Sequence, residues 1–301
     1  MTIIKMMKLE KKRIDTIVRY ALKEDIWTGD ITSRSVLKDP LVVDAVVLSK
    51  QAGIVCGMLV IERIFENVDP ELKFRPIVKD GDHVEPGQEI AFVEGRARSI
   101  FKAERTALNF LSIMSGVATV TREMVDKAKG TKAKIYDTRK TIPLHRYLQK
   151  YAVTVGGGTN HRWGLWDMVL IKDNHIRAFG IQTKSSDNKK NIRDLIRLAR
   201  ESVQKNIRVE IEVESLKECE YALEEKPDVI MVDNMPPEAV EKAIALRKEK
   251  GLEGKVLFEV SGGITPENAA EYARTGVEMI STGKITNSLN AIDFSLEVIL
   301  R

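Results

Sequence analysis

Residues 208–233 read RVEIEVESLKECEYALEEKPDVIMVD. Two short runs rich in β-branched residues, 208–214 and 228–233, flank a segment of helical texture at 215–225. Strand, helix, strand in one short stretch is the unit from which parallel sheets are built. The same alternation recurs around it. AKIYDT (133–138), MVLIKD (168–173), VLFEVSG (256–262) and EMISTG (278–283) have strand character, and 143–152, 189–205, 236–250 and 266–275 have helical character. Consecutive units without a Rossmann glycine fingerprint favour a barrel over an open doubly wound sheet, although periodicity alone does not decide between them. A last helix is expected over AIDFSLEVILR at 291–301.

The strand at 208–214 also gives a first view of the chemistry. Glu210, Glu212 and Glu214 alternate with apolar residues and share one face. A solvent-facing edge strand would explain them. A central barrel strand has no solvent face, so at least one glutamate would point inward, and burial demands a metal, a cation or a hydroxyl-rich ligand. In parallel βα architectures the site lies at the C-terminal strand ends. Here those ends read Asp137-Thr138-Arg139-Lys140, Lys172-Asp173-Asn174-His175, Asp233-Asn234, Ser261-Gly262-Gly263 and Thr282-Gly283-Lys284. The glycine-bearing turns fall late in the series, where backbone N–H groups and a following helix N-terminus suit phosphate. Cations on early strands, carboxylates in the middle and phosphate loops late fit a ligand with acidic groups, a sugar and phosphates. Mg²⁺ is the natural companion, because it combines a few carboxylates with substrate phosphates.

Composition sets the remaining bounds. The 301 residues suffice for one large domain or two smaller ones, and 31% are charged. Lys and Glu dominate, which fits a heat-adapted protein or an ordinary soluble surface equally well. The net charge of +4, without a basic run interleaved with aromatics, gives no sign of nucleic-acid binding. Cys56 and Cys219 form no CxxC pair, and the four histidines lack HxH or HxxxH spacing, so neither a disulfide framework nor a zinc hydrolase is implied. No apolar run approaches a membrane span, and MTIIKMMKLEKKR lacks the apolar core of a signal peptide, so a cytoplasmic location is expected.

The first hundred residues have another texture. A helical stripe over 12–25 is broken by WTGDITS, a strand follows at 42–49, GIVCGMLVIERIFENV turns into a helix, and 74–95 alternates strands with Gly and Pro turns. DGDHVEPGQEIAFVEG looks like the hammerhead turn of biotinyl and lipoyl carriers. No lysine lies between Lys79 and Lys102 to hold a prosthetic group, so the segment reads as a small β-rich structural piece. Residues 102–128 are helical, with Ser115-Gly116 as an expected break and domain border.

Three of the four histidines fall in DTRKTIPLHR (137–146) and GGGTNHRWGLWDMVLIKDNH (156–175). With ALKEDIWTGDITS, ERTALNFLSIMSGVAT, IEVE, VDN, SGGI and ISTGKITNS in the same order, these stretches resemble quinolinate phosphoribosyltransferases over nearly the whole chain. The resemblance implies an N-terminal α/β sandwich domain (1–115), an incomplete, seven-stranded α/β barrel of the type II phosphoribosyltransferase kind (116–285) and a C-terminal helix (286–301) packing back on the first domain. It implies a Mg²⁺-dependent reaction of quinolinate with phosphoribosyl pyrophosphate that yields nicotinate mononucleotide, pyrophosphate and CO₂ for NAD biosynthesis. The partners it implies are these small molecules and a second copy of the chain, in a homodimer with shared sites that in some members forms hexamers, with no nucleic acid and no membrane. Arg105 (from the second subunit), Thr138, Arg139, Lys140, His161, Arg162 and Lys172 match quinolinate-binding positions. Lys140, Glu212 and Asp233 match positions for the pyrophosphate, ribose and Mg²⁺, the metal held partly through water. Ser261, Gly262, Gly263, Thr282, Gly283 and Lys284 match the phosphate loops. Trp27, Lys284 and Asn287 depart from residues common in the family.

Three alternatives compete. A related phosphoribosyltransferase acting on nicotinate or serving molybdenum metabolism would leave paired cations unmatched. A non-catalytic sugar-phosphate barrel does not want Glu212 and Asp233. A carrier lacks its lysine.

Overall fold

The computed structural model describes residues 7–288 and 291–299. The first six residues of MTIIKMMKLEKKR, and positions 289, 290, 300 and 301 of the expected C-terminal helix, lie outside that range. The chain divides into two compact units, one of Met1–Arg122, Thr141–Gly157 and Ile285–Arg301, the other of Glu123–Lys140 and Gly158–Lys284. No helix among the described residues is long and apolar enough to cross a membrane.

In the first unit, α1 (Lys11–Ile26) and α3 (Met58–Val68) pack together through Ile14, Val18 and Leu22 on one and Val60, Ile61, Ile64 and Phe65 on the other. A two-point ion pair from Arg63 to Asp15, at 2.8 and 2.9 Å, ties them. α2 (Ile31–Val36) follows the WTGD turn, its first turn capped by the Asp30 carboxylate. Trp27 occupies that turn with φ 42°, a conformation that explains why glycine is commoner there. β1 (Val42–Ser49), β3 (Lys73–Pro76) and β5 (Glu89–Arg96) belong to one antiparallel sheet, and β2 (Gly53–Ile54) pairs with β4 (His83–Val84). The hammerhead-like turn does structural work. One Asp80 oxygen accepts the N–H groups of Gly57 and Met58 that open α3, and the other accepts the Tyr151 hydroxyl at 2.7 Å.

Two elements differ from their expected form. The long helix α4 runs unbroken over Ala97–Lys127, because Ser115 is buried within it and exchanges hydrogen bonds with the backbone of Cys56 while Met114, Val117 and Ala118 continue the apolar face. The C-terminal segment is a strand, β12 (Phe294–Ile299), added antiparallel to β1 with Phe294 opposite Ser49 and Ile299 opposite Asp44. Its apolar spacing suits either period, and the otherwise unpaired edge of β1 decides for the strand. The helix α5 (Arg146–Val155) also belongs to this unit. Gly156, the first of the three glycines, lies where a Cβ would meet the Ala118 carbonyl at 2.5 Å.

The second unit contains a six-stranded parallel sheet in the order β6 (Lys134–Tyr136), β11 (Met279–Ser281), β10 (Leu257–Ser261), β9 (Val229–Asp233), β8 (Val209–Val213), β7 (Val169–Ile171). Where seven strands are implied, the seventh is reduced to one parallel bridge between Thr159 and Tyr136 on the free side of β6. The helices are α6 (Asp173–Thr183), α7 (Asn188–Ser202), α8 (Leu216–Glu225), α9 (Pro237–Glu249) and α10 (Ala269–Arg274), and α11 (Lys284–Asn287) begins on the last residue of the unit. The α6 helix is absent from the sequence reading. Lys172 and His175 start it, the Lys172 N–H donating to His175 Nδ1 at 2.9 Å. A buried cation holds the far end of the sheet. Arg247, 1% exposed, donates to both oxygens of Glu278 and to the Val256 carbonyl, and its guanidinium lies over the Phe258 ring. Cys56 and Cys219 are buried thiols, and burial pushes Cys219 up to about 12.

Candidate active site

Because the sheet is parallel, the C-terminal ends of its strands share one edge, and the residues singled out from the sequence, Arg105 apart, gather there. The innermost group is His161. Its backbone N–H donates to Asp137 Oδ1 at 2.8 Å, its Nε2 donates to Glu259 Oε2 at 3.0 Å, and Glu210 Oε2 stands 3.3 Å from the same nitrogen. Glu210 and Glu259 are fully buried, His161 nearly so. Burial opposes the imidazolium, yet the two carboxylates outweigh it and hold its pKa up at about 10. Burial and the neighbouring Glu259 push Glu210 up to about 7. The folded pKa of His161 lies above the ordinary 6.5, so its stabilising share is complete below pH 6.5 and is lost as pH rises through 10. The His161 ring is therefore expected to keep imidazolium chemical shifts at pH 8 in an NMR titration. A midpoint near the ordinary value would contradict this arrangement.

Above this core stand two guanidinium groups. Arg162 is half-buried, and desolvation together with the charge of Arg139 depresses its pKa. Two cations that repel one another in a partly buried place form a seat for a polyanion. Thr138 accepts the Lys140 N–H at 3.0 Å, which turns the chain so that Lys140 is exposed at the rim.

Lys172 directly follows β7 and its Nζ bonds Glu212 Oε2. Glu212 is 8% exposed and lies opposite Met231, so Asp233, two residues on, faces the same side of the sheet. Asp233 lies opposite Ser261 of β10. In EIEVE the inward residues are Glu210 and Glu212, while Glu214 is exposed.

The glycine turns take a different form from the one expected. After Ser261-Gly262-Gly263 the next helix begins only at Ala269, so these amides belong to a tight turn and not to a helix N-terminus. Gly262, at φ 87°, packs against Asn234, where an added Cβ would sit 2.3 Å from the side-chain oxygen and 2.8 Å from the backbone nitrogen. Gly262→Ala is expected to cost about 1–3 kcal/mol in chemical denaturation, through backbone strain and displacement of Asn234. An unchanged midpoint would contradict it. Thr282 donates its hydroxyl to the Ile264 carbonyl at 2.8 Å and accepts the Lys284 N–H, joining Gly283 and the second turn to the first. Lys284 and Asn287 are exposed.

Arg105 is exposed on α4 in the first unit. Sequence reasoning missed Asp137 as an anchor and Glu259 altogether. The signal for Glu259 was the one used for Glu210, a charged residue inside an apolar central strand.

Family models describing the N-terminal and C-terminal domains of quinolinate phosphoribosyl transferase match residues 30–115 and 117–297. The chain belongs to the quinolinate phosphoribosyl transferase family. Curated relatives agree. The chain is 40% identical over 287 residues to a probable carboxylating nicotinate-nucleotide pyrophosphorylase of Methanocaldococcus jannaschii, covering 94% of this chain and 96% of the relative. It is 40% identical over 289 residues to the carboxylating nicotinate-nucleotide pyrophosphorylase of Mycobacterium leprae, covering 94% and 96%. Among solved structures, the nicotinate-nucleotide pyrophosphorylase of Francisella tularensis superposes with a TM-score of 0.85 at 37% identity, over 98% of this chain and 99% of that one. The family pattern bears out the expected fold class of an N-terminal sheet unit with a parallel α/β unit after it.

Proposed function

We propose that the chain transfers phosphoribosyl from phosphoribosyl pyrophosphate to quinolinate with loss of CO₂, giving nicotinate mononucleotide in NAD biosynthesis. The observation that carries this is the neighbouring pair Arg139 and Arg162, where burial and the charge of Arg139 work against the charge on Arg162 and an anion between the two would favour it. A planar dicarboxylate offers two forks to two guanidinium groups.

The remaining assignments follow the same chemistry. Arg139, Arg162 and Lys172 hold the dianion, with Thr138 shaping the turn and His161 bracing it from below. The ring nitrogen attacks the anomeric carbon as the bond to pyrophosphate breaks. Glu212 and Asp233 contact the ribose and favour the positive charge that develops on it. Lys140 meets the departing pyrophosphate. The pyridinium nitrogen then takes up the electron pair left when the adjacent carboxylate departs as CO₂, and a proton replaces it. Positioning does most of the work, and no protein nucleophile is needed. The turns at Ser261-Gly262-Gly263 and Thr282-Gly283-Lys284 receive the 5′-phosphate, and Lys284 adds a direct charge.

Glu212 and Asp233, facing one side of adjacent strands, fit Mg²⁺, which accepts one or two carboxylates and completes its shell with water and phosphate oxygens. When bound it neutralises charge on the pyrophosphate. Arg105 of a second copy completes each site in a homodimer, which can assemble further into hexamers, and the cytoplasm is the proposed location.

The discriminating experiment supplies the protein with phosphoribosyl pyrophosphate, Mg²⁺ and either quinolinate or nicotinate. Turnover of quinolinate alone is expected. Turnover of nicotinate alone would replace this reading with that of a monoacid phosphoribosyltransferase.

A further inference from the structure

The segment that carries Arg162 is not a regular strand. It is joined to β6 by the Thr159 bridge, with Thr159 N–H to the Ile135 carbonyl at 2.7 Å and Asp137 N–H to the Thr159 carbonyl at 3.2 Å, and by the His161 N–H to the Asp137 carboxylate. These bonds lie along one edge. A pivot about that edge would change the spacing of Arg162 from Arg139, two residues beyond Asp137. The His161 ring supplies a second anchor. It reaches to β10, where Glu259 accepts its N–H, and stands beside Glu210 of β8.

We propose that Glu259 is a positioning residue for the dicarboxylate substrate, holding the His161 ring so that Arg162 stays at a fixed spacing from Arg139. This rests on the proposed quinolinate reading for its ligand. Its carboxylate is fully buried, with Oε2 on His161 and, among the described residues, no hydrogen-bond partner for Oε1. A pivot would loosen the grip on two carboxylates while leaving the sites for ribose and phosphate, on β8, β9 and the late turns, in place.

Two measurements test this. The first needs no ligand. Amide hydrogen exchange at residues 159–162 in Glu259→Gln is expected to quicken about 10-fold or more against the unsubstituted protein, with strands β8 and β9 unchanged. Unchanged exchange at 159–162 would overturn the proposal. The second is calorimetric. Glu259→Gln is expected to weaken quinolinate about 10-fold and phosphoribosyl pyrophosphate less than about 2-fold, and in an Arg162→Lys background to weaken quinolinate by no more than about 3-fold. Equal losses in both backgrounds, or no loss in the first, would overturn it. Should Glu259→Gln fail to fold, Glu259→Asp, which keeps the charge on a shorter stem, is held to the same outcomes. Failure of the functional reading shows differently, as absence of quinolinate binding by the unsubstituted protein, and the exchange experiment still decides the role of Glu259.

Discussion

Arg139→Ala and Arg162→Ala are each expected to lower kcat/KM for quinolinate by about 10²–10³-fold, with the folded protein no less stable than before. The magnitude follows from removing one fork of a two-fork clamp on a dianion, about 3–4 kcal/mol for a charge-assisted, partly desolvated pair. The sign of the stability effect follows from the free protein. Burial and Arg139 both work against the charge on Arg162, so the Arg162 guanidinium is a liability until substrate arrives. Removing Arg139 relieves Arg162, and removing Arg162 takes the liability away, a trade of stability for function. Arg→Lys at either position is expected to restore stability-neutral charge but little activity, since a point cation does not reproduce the planar fork. Steady-state kinetics beside thermal denaturation checks this. An alanine variant that lost stability and kept its turnover would reverse the assignment from binding to structure.

Glu278→Ala is expected to cost about 3–5 kcal/mol of stability, the largest structural effect of a single change outside the site. It would leave the Arg247 guanidinium buried with only the Val256 carbonyl and the face of Phe258. The Phe258 N–H, which also donates to Glu278 at 3.0 Å, would lose its acceptor. Replacing both partners by apolar residues of similar volume, as in Arg247→Met with Glu278→Leu, is expected to recover much of the loss. The pair also gives an acid signature. Burial raises the Glu278 pKa, but its bonds from Arg247, Lys132 and the Phe258 amide prevail and hold it below the ordinary 4.5. A lowered folded pKa contributes stability that is present above pH 4.5 and is lost as pH falls through the folded value. Denaturant midpoints measured between pH 7 and pH 3 should show this slope reduced in the double variant. An identical slope would place the acid sensitivity elsewhere.

The parallel unit was legible because its strands are short, β-branched and separated by amphipathic helices, so the two periods stand apart along the chain. The edge was harder. In 291–299 the set Ile292, Leu296 and Ile299 satisfies a helix and the set Ile292, Phe294, Leu296 and Val298 satisfies a strand, and only the free edge of β1, distant in sequence, selects between them. Ser115-Gly116 misled in the opposite direction, since small residues also allow a buried helix to approach its neighbours. The α6 helix begins at a polar run, Asp173-Asn174-His175, whose apolar face is thin, with Ile176 its buried residue.

Much of the candidate site could be named from residue type and place, because cations and carboxylates at strand ends have few structural uses. What could not be named was who supports whom. Glu212 meets Lys172, and Glu210 meets His161, although the two glutamates are two residues apart on one strand. Glu259 sits in an apolar run and gains its meaning only from a histidine almost a hundred residues earlier that the fold brings to 3.0 Å. Position along a strand predicts the face a residue takes. It does not predict the partner that a distant segment brings to that face.

The central claim is that one site both joins and decarboxylates. Quinolinate carrying an isotopic label in its 2-carboxylate, incubated with the protein, phosphoribosyl pyrophosphate and Mg²⁺, tests it most directly. Labelled CO₂, pyrophosphate and nicotinate mononucleotide in equal amounts are predicted. Pyrophosphate release with the label retained in the nucleotide, or no release at all, would contradict the account.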